Sequence, residues 1–379
     1  MKKDINRKFS TITKITTSLR LRTVGVVSLL ALTCLSALAQ GNRDKHEVVF
    51  AQSNLVSNIP GAAQLTDPDM TNAWGVSFSP TSPFWISDNG TGVATLYTVT
   101  NDSSGVAHVT KSSLVVTIPG AGTPTGQVFD GNGSFNGDIF LFVSEDGTIS
   151  GWRPALGTAA EVLAMRATAV YKGVALAMTK GGPLLLAANF AEGTLDAYGV
   201  NSSGDFALLA QFSDPRAPAG FAPFNIREIK NFFFVTFALQ NAAKHDDVAG
   251  PGNGLIDVFN PVNGKFVRFA TGSNAGGKLD AINSPWGLAL APKSFGQNAD
   301  RLLVGNFGNG TIMTFNGGGQ FGGLLEGTDD SPLVIDGLWA LTFGNGGSAG
   351  VPDTLYFTAG PNDESDGLFG MLTPVMQKR

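Results

Sequence analysis

Cysteine, histidine and charge are all scarce in this chain. Its 379 residues include one cysteine, Cys34, and three histidines, at positions 46, 108 and 245. Beyond position 34 there is neither a disulfide nor a thiol nucleophile nor a Cys-ligated metal to consider, so core packing and strand pairing must hold the fold. Charged residues make up 15%. Apart from one apolar segment at 24–39, no run approaches the roughly 20 residues a membrane helix needs. There is no Gly-x-Ser-x-Gly elbow, no Walker loop, no Gly-x-Gly-x-x-Gly entering a helix and no His-Glu-x-x-His. No stretch holds a 3.6-residue apolar period over twelve residues, which excludes helical solenoids.

The first 39 residues read as an export leader. Residues 1–22 carry seven bases and one acid, and the apolar run that follows ends in Ala37-Leu38-Ala39, a small-x-small cleavage pattern. The expected domains are a signal peptide, 1–39, and one folded domain, 40–379. Retention of the leader as an anchor is the alternative. Cleavage removes seven bases and one acid, which takes the net charge from −5 to −11. An acidic chain without a Lys/Arg cluster is not expected to bind nucleic acid, because that binding rests on phosphate neutralisation. No membrane contact is expected once the leader is gone.

What is abundant is glycine, 49 residues, about twice its usual share. The glycines punctuate one repeating cassette: a hydrophobic strand, a Gly/Asn/Asp turn, and a second strand ending in an aromatic. It reads FWISDNGTGVATLYTV at 84–99 and IFLFVSEDGTISGW at 139–152. It returns at 184–198 and 302–315, in stretched form at 232–259, and last at 354–372. Each copy follows an opening signal. The strong ones are Asn72-Ala-Trp74-Gly-Val76, Ser284-Pro-Trp286-Gly-Leu288 and Asp336-Gly-Leu-Trp339-Ala-Leu341. Weaker ones are Thr125-Gly-Gln-Val128, Tyr171-Lys-Gly-Val174 and Phe224-Asn-Ile226. Further strands are expected at 113–118, 207–212, 266–270 and 333–335. Four strands in each of six repeats predict an all-β fold, a six-bladed β-propeller of four-stranded antiparallel blades. Residues 48–55 are a strand with no repeat of their own. They are expected to pair with the C-terminal strand and close the ring, since this joins two otherwise open edges.

Chain direction then locates a site. In a four-strand meander, the loop entering the inner strand and the turn between the second and third strands lie at the same end. The Trp-Gly openings and the Asn/Asp-Gly turns should therefore meet around the central channel. Trp74, Trp286 and Trp339 can line a pocket for a sugar or another ring there, or pack between blades. Asn72, Asn225 and Asp336 lie near the same positions. The turns at 87–90, 144–147, 189–193 and 306–310 read chiefly as hairpin reversals, because Asn, Asp and Gly tolerate positive φ. Two cassettes carry acidic, Gly-rich inserts, at 245–254 and 362–367. The first holds His245, Asp246 and Asp247, which suit a divalent cation such as calcium or an acid–base pair. The second lacks the alternating ligand spacing of an EF-hand loop. Asp88 is a further candidate metal ligand.

Three stretches resemble a known family. They are Asn54-Leu-Val-Ser-Asn-Ile-Pro-Gly-Ala with Asp67-Pro and Asn72-Ala-Trp-Gly; Lys244-His-Asp-Asp-Val-Ala-Gly-Pro-Gly-Asn-Gly254; and Ser284-Pro-Trp-Gly-Leu-Ala-Leu-Ala-Pro292 with Leu303-Val-Gly-Asn-Phe-Gly308. The likeness is to exported bacterial proteins of unknown function, six-bladed propellers related to NHL repeats. It implies a fold and no activity. Some members end in a Pro-Glu-Pro sorting signal; this chain ends Leu372-Thr-Pro-Val-Met-Gln-Lys-Arg379, which implies release to the periplasm or medium. Two functions remain open. One is a binding module for a protein or carbohydrate ligand on the loop face. The other is a metal-dependent hydrolase or lactonase of gluconolactonase type, with Asp88, Asn225, His245, Asp246 and Asp336 as candidate ligands. A lyase with His245 as base is a third.

Overall fold

A computed structural model of the protein describes residues 46–378. The leader expected over 1–39 lies outside the described residues. Six sheets, each with four antiparallel strands, follow one another along the chain, and in the last the short strand Leu65–Thr66 adds a parallel edge. The first blade spans 73–117, the second 124–165, the third 171–212, the fourth 221–271, the fifth 285–324 and the sixth 338–378. Inner strands run Ala73–Ser77, Pro124–Phe129, Tyr171–Thr179, Phe221–Ile229, Pro285–Leu290 and Leu338–Phe343. They pack edge to edge around a central channel, and only short turns of 3-10 helix interrupt the strands.

Closure follows the sequence reading. His46–Ser57 pairs antiparallel with Leu368–Lys378, with Val49 opposite Val375, as the outer strand of the sixth blade. Val49, Phe50, Leu55 and Val56 of this clasp are buried, and Phe50 packs on Phe295 with ring centroids 4.8 Å apart. The fifth blade departs from expectation. Residues 333–335 form only an isolated bridge between Val334 and Thr311, and the outer strand is instead Phe321–Leu324. The second blade's outer strand, Glu161–Met165, had no sequence signal; its Val162 and Met165 are exposed, so no alternation marks it.

The second strands explain why the cassette was visible. Phe84–Asp88, Phe140–Ser144, Leu302–Asn306 and Leu355–Ala359 are buried at every residue. A strand covered on both faces reads as a continuous apolar run. Two polar residues at the ends of second strands bond within their own blade. Asp88 Oδ2 accepts from Thr95 Oγ1 at 2.6 Å, and Asn189 Nδ2 donates to Asp196 Oδ2 at 3.0 Å.

Two measurements test this architecture. Removing Phe50 leaves a cavity under the clasp, so Phe50→Ala should lower stability in chemical denaturation by about 3–5 kcal/mol. The second concerns buried charge in the fourth blade. Arg268 bonds both Asp257 (2.6 Å) and Asp214 (2.9 Å). Burial, reinforced by Asp214, raises the Asp257 carboxyl from 3.8 to about 7. The folded chain therefore keeps a proton that the unfolded chain releases, and this group's contribution to stability falls as pH rises from about 4 to 7. Asp257→Asn should remove that slope. Relative to the variant, the natural chain should lose roughly 2–4 kcal/mol between pH 4 and pH 8.

Candidate functional site

Every inner strand shifts register against its neighbour near its start. The shifts fall at Ala73/Val76, Pro124/Gln127, Tyr171/Gly173, Pro223/Asn225, Pro285/Gly287 and Leu338/Leu341. Each irregularity begins with one residue of an equivalent set: Trp74, Thr125, Lys172, Phe224, Trp286 and Trp339. Such a bulge re-aims its side chain, and here it does so at one level of the channel. The next position is Gly75, Gly126, Gly173, Asn225, Gly287 and Ala340. A side chain is excluded at Gly173 because a Cβ would stand 2.7 Å from the Asn225 Cα and 2.1 Å from its Oδ1. Asn225 fills the equivalent place in the fourth blade, where its Nδ2 donates to the Trp286 carbonyl at 2.8 Å.

The aromatic members plug the channel. Trp74 stacks on Trp339 with centroids 3.6 Å apart, and Phe307 stacks on Trp339 at 3.8 Å. Trp286 meets both tryptophans edge-on, at 6.5 and 5.9 Å. Trp339 Nε1 donates to Asn72 Oδ1 at 2.9 Å, and Trp286 Nε1 to the Lys172 carbonyl at 3.1 Å. Trp74 Nε1 is buried without a partner. The three tryptophans thus come together at the channel, from the fifth, sixth and first blades.

Lys172 is the exception in this ring. It is 2% exposed, yet it carries a charge. Its Nζ lies 5.1 Å from the centroid of Trp74, 2.5 Å from Glu145 Oε1 and 3.5 Å from Asp246 Oδ1. Around it the mouth is a continuous polar network. Asn89 Nδ2 donates to Glu145 Oε2 at 3.0 Å, and Asn72 Nδ2 to Asn89 Oδ1 at 3.2 Å and Glu364 Oε2 at 2.6 Å. His245 Nδ1 is 2.7 Å from Asp246 Oδ1. Glu364 comes from a turn in which Asn362, Asp363 and Glu364 all have positive φ, 56°, 52° and 64°. Non-glycine residues adopt that region reluctantly, and such strain gathers at functional positions.

Electrostatics set the chemistry available. Burial raises the Glu364 carboxyl, and its hydrogen bond from Asn72 offsets this only in part. Burial also pushes Asp246 upward, but His245 and Lys172 hold it below its usual range. The mouth therefore offers one acid inclined to keep its proton, one fixed ammonium, an imidazole–carboxylate pair and two amides. Glu145, His245 and Asp246 also place ligand atoms within 4.8 Å of one another, close enough to hold a metal ion. Lys172 contends with that role, because its ammonium already lies against two of the three.

The remaining expected residues lie elsewhere. Asp88 is fully buried inside the first blade, and burial raises its carboxyl well above 3.8; its charged neighbours are Asp67, Asp69 and Lys111, not the mouth. Asp336 is exposed, and its Oδ2 accepts the Asn362 N–H at 2.9 Å, tying down the sixth-blade insert. Asp247 is half-buried in the fourth-blade insert, where it bridges to Gln240; burial raises its carboxyl. It is not among the three that approach one another. Lys172, Glu145 and Glu364 were not singled out by sequence reasoning. A column-by-column alignment of the six openings would have placed Lys172 in the tryptophan column.

No family model matches the chain. Two uncharacterised proteins of Acanthamoeba polyphaga mimivirus are similar to it. One is 28% identical over 340 residues, covering 84% of this chain and 78% of that protein. The other is 29% identical over 339 residues, covering 84% of each. Among solved structures, a protein of unknown function from Bacteroides thetaiotaomicron superposes with a TM-score of 0.53 at 9% identity, over 87% of this chain and 77% of that one. That likeness is one of fold. The chain is a six-bladed propeller with uncharacterised relatives.

The Lys172–Glu145 pair makes a direct prediction. Lys172→Met leaves a largely buried carboxylate uncompensated and should cost about 3 kcal/mol in urea denaturation. Adding Glu145→Gln should recover most of that loss. A double variant no more stable than the single one would show that the pair does not hold the mouth.

Proposed function

We propose that this protein is an exported binding propeller that takes a carbohydrate ligand at the mouth around Lys172. One observation carries the reading: polar side chains from five blades converge there. The first blade supplies Asn72 and Asn89, the second Glu145, the third Lys172, the fourth His245 and Asp246, and the sixth Glu364. Planar amides and carboxylates held by mutual hydrogen bonds present fixed donors and acceptors, as recognition of hydroxyl groups requires. Export is supported by the basic, then apolar, then small-residue order of 1–39. The net charge of −5 supports a partner other than nucleic acid.

A metal-dependent hydrolase is the second reading, favoured by the approach of Glu145, His245 and Asp246. The donor set fits a divalent ion poorly while Lys172 is seated. An incoming cation would have to displace an ammonium 2.5 Å from Glu145, and like charges at such distances repel strongly in a desolvated site.

Thermal-shift titration separates the two. Calcium, magnesium, manganese and zinc should leave the melting temperature of the natural chain unchanged, whereas one or more neutral oligosaccharides should raise it saturably. Asn89→Ala should weaken that response roughly tenfold, the effect of one lost hydrogen bond of about 1.4 kcal/mol. A saturable shift with a divalent ion, lost in His245→Ala, would instead establish the hydrolase reading.

A further inference from the structure

The tryptophan plug divides the channel, and the compartment beyond it has a different chemistry. A cavity of about 360 Å³ lies between the later residues of the inner strands. Trp286 and Asn225 bound it on the plug side, and Phe129 and Met178 stand toward the far end. Met178 is 60% exposed, so the compartment opens at the end opposite the mouth. Its walls mix apolar side chains, Val76, Val128 and Leu176 among them, with polar ones such as Gln127, Glu228 and Thr342.

Across this space reaches Arg227. It belongs to the fourth blade's inner strand, yet its Nη1 donates to the Leu341 carbonyl at 2.5 Å and its Nη2 to Thr342 Oγ1 at 3.1 Å, both in the sixth blade. Among the described residues no carboxylate forms an ion pair with it. The other arginines with ion pairs here, Arg153, Arg166, Arg216 and Arg268, each have an acid within 4.0 Å. Glu228, at the cavity wall, makes no ion pair with it. Burial pushes the Arg227 guanidinium down to about 10, so it stays charged at neutral pH. A guanidinium has five N–H donors, and the two bonds found leave others unused. Nearby polar groups do not take them up. Gln127 is engaged with Ser77, Gly75 and Ser87.

A partly buried cation without a counter-charge is disfavoured, and a cavity of this size is in the range of small-molecule sites. We propose that the compartment binds a small organic anion, one carboxylate on an apolar body, with the carboxylate on Arg227. One guanidinium matches one negative charge through a two-pronged contact, and the apolar part of the lining, Val76, Val128 and Leu176, accommodates the rest of the molecule. This site is separate from the mouth and does not depend on what binds there.

The test is calorimetry and thermal shift on the full chain with hexanoate, hexanamide and inorganic phosphate. Hexanoate should bind saturably and raise the melting temperature as mass action requires. Hexanamide, of similar size without the charge, should bind at least tenfold more weakly, and phosphate should not compete. Arg227→Met should weaken hexanoate binding roughly 10- to 100-fold, the range for a charge-assisted hydrogen bond. Arg227→Lys should restore part of it. Absence of saturable hexanoate binding to the natural chain would overturn the proposal and leave Arg227 as a brace between two blades. Binding of phosphate in preference to hexanoate would overturn the class of ligand, and equal binding of hexanamide would overturn the role of the charge. None of these three results needs a variant to fold.

Discussion

A single ammonium group in an aromatic ring governs the middle of this molecule. Six inner strands bring six equivalent side chains to one level, and six large aromatics would crowd a channel of that width. Three tryptophans and a phenylalanine fill most of it. Thr125 turns away, its Oγ1 lying 2.7 Å from the Tyr171 carbonyl and 3.1 Å from that of Val143. Lys172 lies over the ring of Trp74. Removing an ammonium from water costs several kcal/mol. Two partners offset this cost, the Glu145 carboxylate and the face of Trp74. The rest of the mouth is arranged around that pairing, since Asn89, Asn72 and Glu364 continue the hydrogen-bond chain from Glu145.

The same residues sit on the seam of the ring. Trp339 and Glu364 belong to the sixth blade, Trp74 and Asn72 to the first, and their stack and hydrogen bonds bridge the junction where the chain closes on itself. Thr358 of the sixth blade also donates to the Trp74 carbonyl. Closure is thus secured twice. At the rim the clasp strand completes a sheet, and at the axis the tryptophan stack fixes how the sixth blade meets the first. A ligand that touches Asn72 or Glu364 therefore touches the seam, and binding at the mouth is coupled to the stability of the whole ring.

The repeat was legible because of burial, and the site was illegible for the same reason. Second strands are covered on both faces, so sequences such as FWISD and IFLFVS stand out as apolar runs. Outer strands are covered on one face or barely at all; Phe206–Phe212 has no fully buried residue, and Glu161–Met165 passed unnoticed. The clasp at 48–55 was found because it belonged to no repeat. At the site, the tryptophans were visible as a recurrent type, whereas Lys172 looked like a surface residue in a weak copy of the motif. Glu145 was hidden in a turn whose Glu-Asp-Gly composition is sufficiently explained by hairpin geometry. Asp88 misled for the converse reason: its turn places it at the right end of the blade, but its side chain points into the sheet stack. Position along a strand can be read from a repeat; the direction of a side chain at a bulge depends on a register shift that the repeat does not encode.

Chemical identity in a propeller of this kind resides in departures from its own symmetry. Six near-equal strands can supply only a ring of similar groups, and a ring of like side chains cannot distinguish one end of a ligand from another. Here the equivalences break in three places. Lysine replaces tryptophan in the third blade, two cassettes lengthen into acidic inserts, and Arg227 crosses the channel with no acid to meet it. The first two breaks fall on the mouth side of the plug and satisfy each other. The third falls beyond the plug and is left unsatisfied within the chain. Because the stacked tryptophans close the passage, the two compartments cannot share one ligand by threading it through. Each must be explained by the charges on its own side. Glu228 stands at the wall of the same compartment without pairing with Arg227, and the carboxylates of the mouth are committed to Lys172 and to the inserts, on the far side of the aromatic layer.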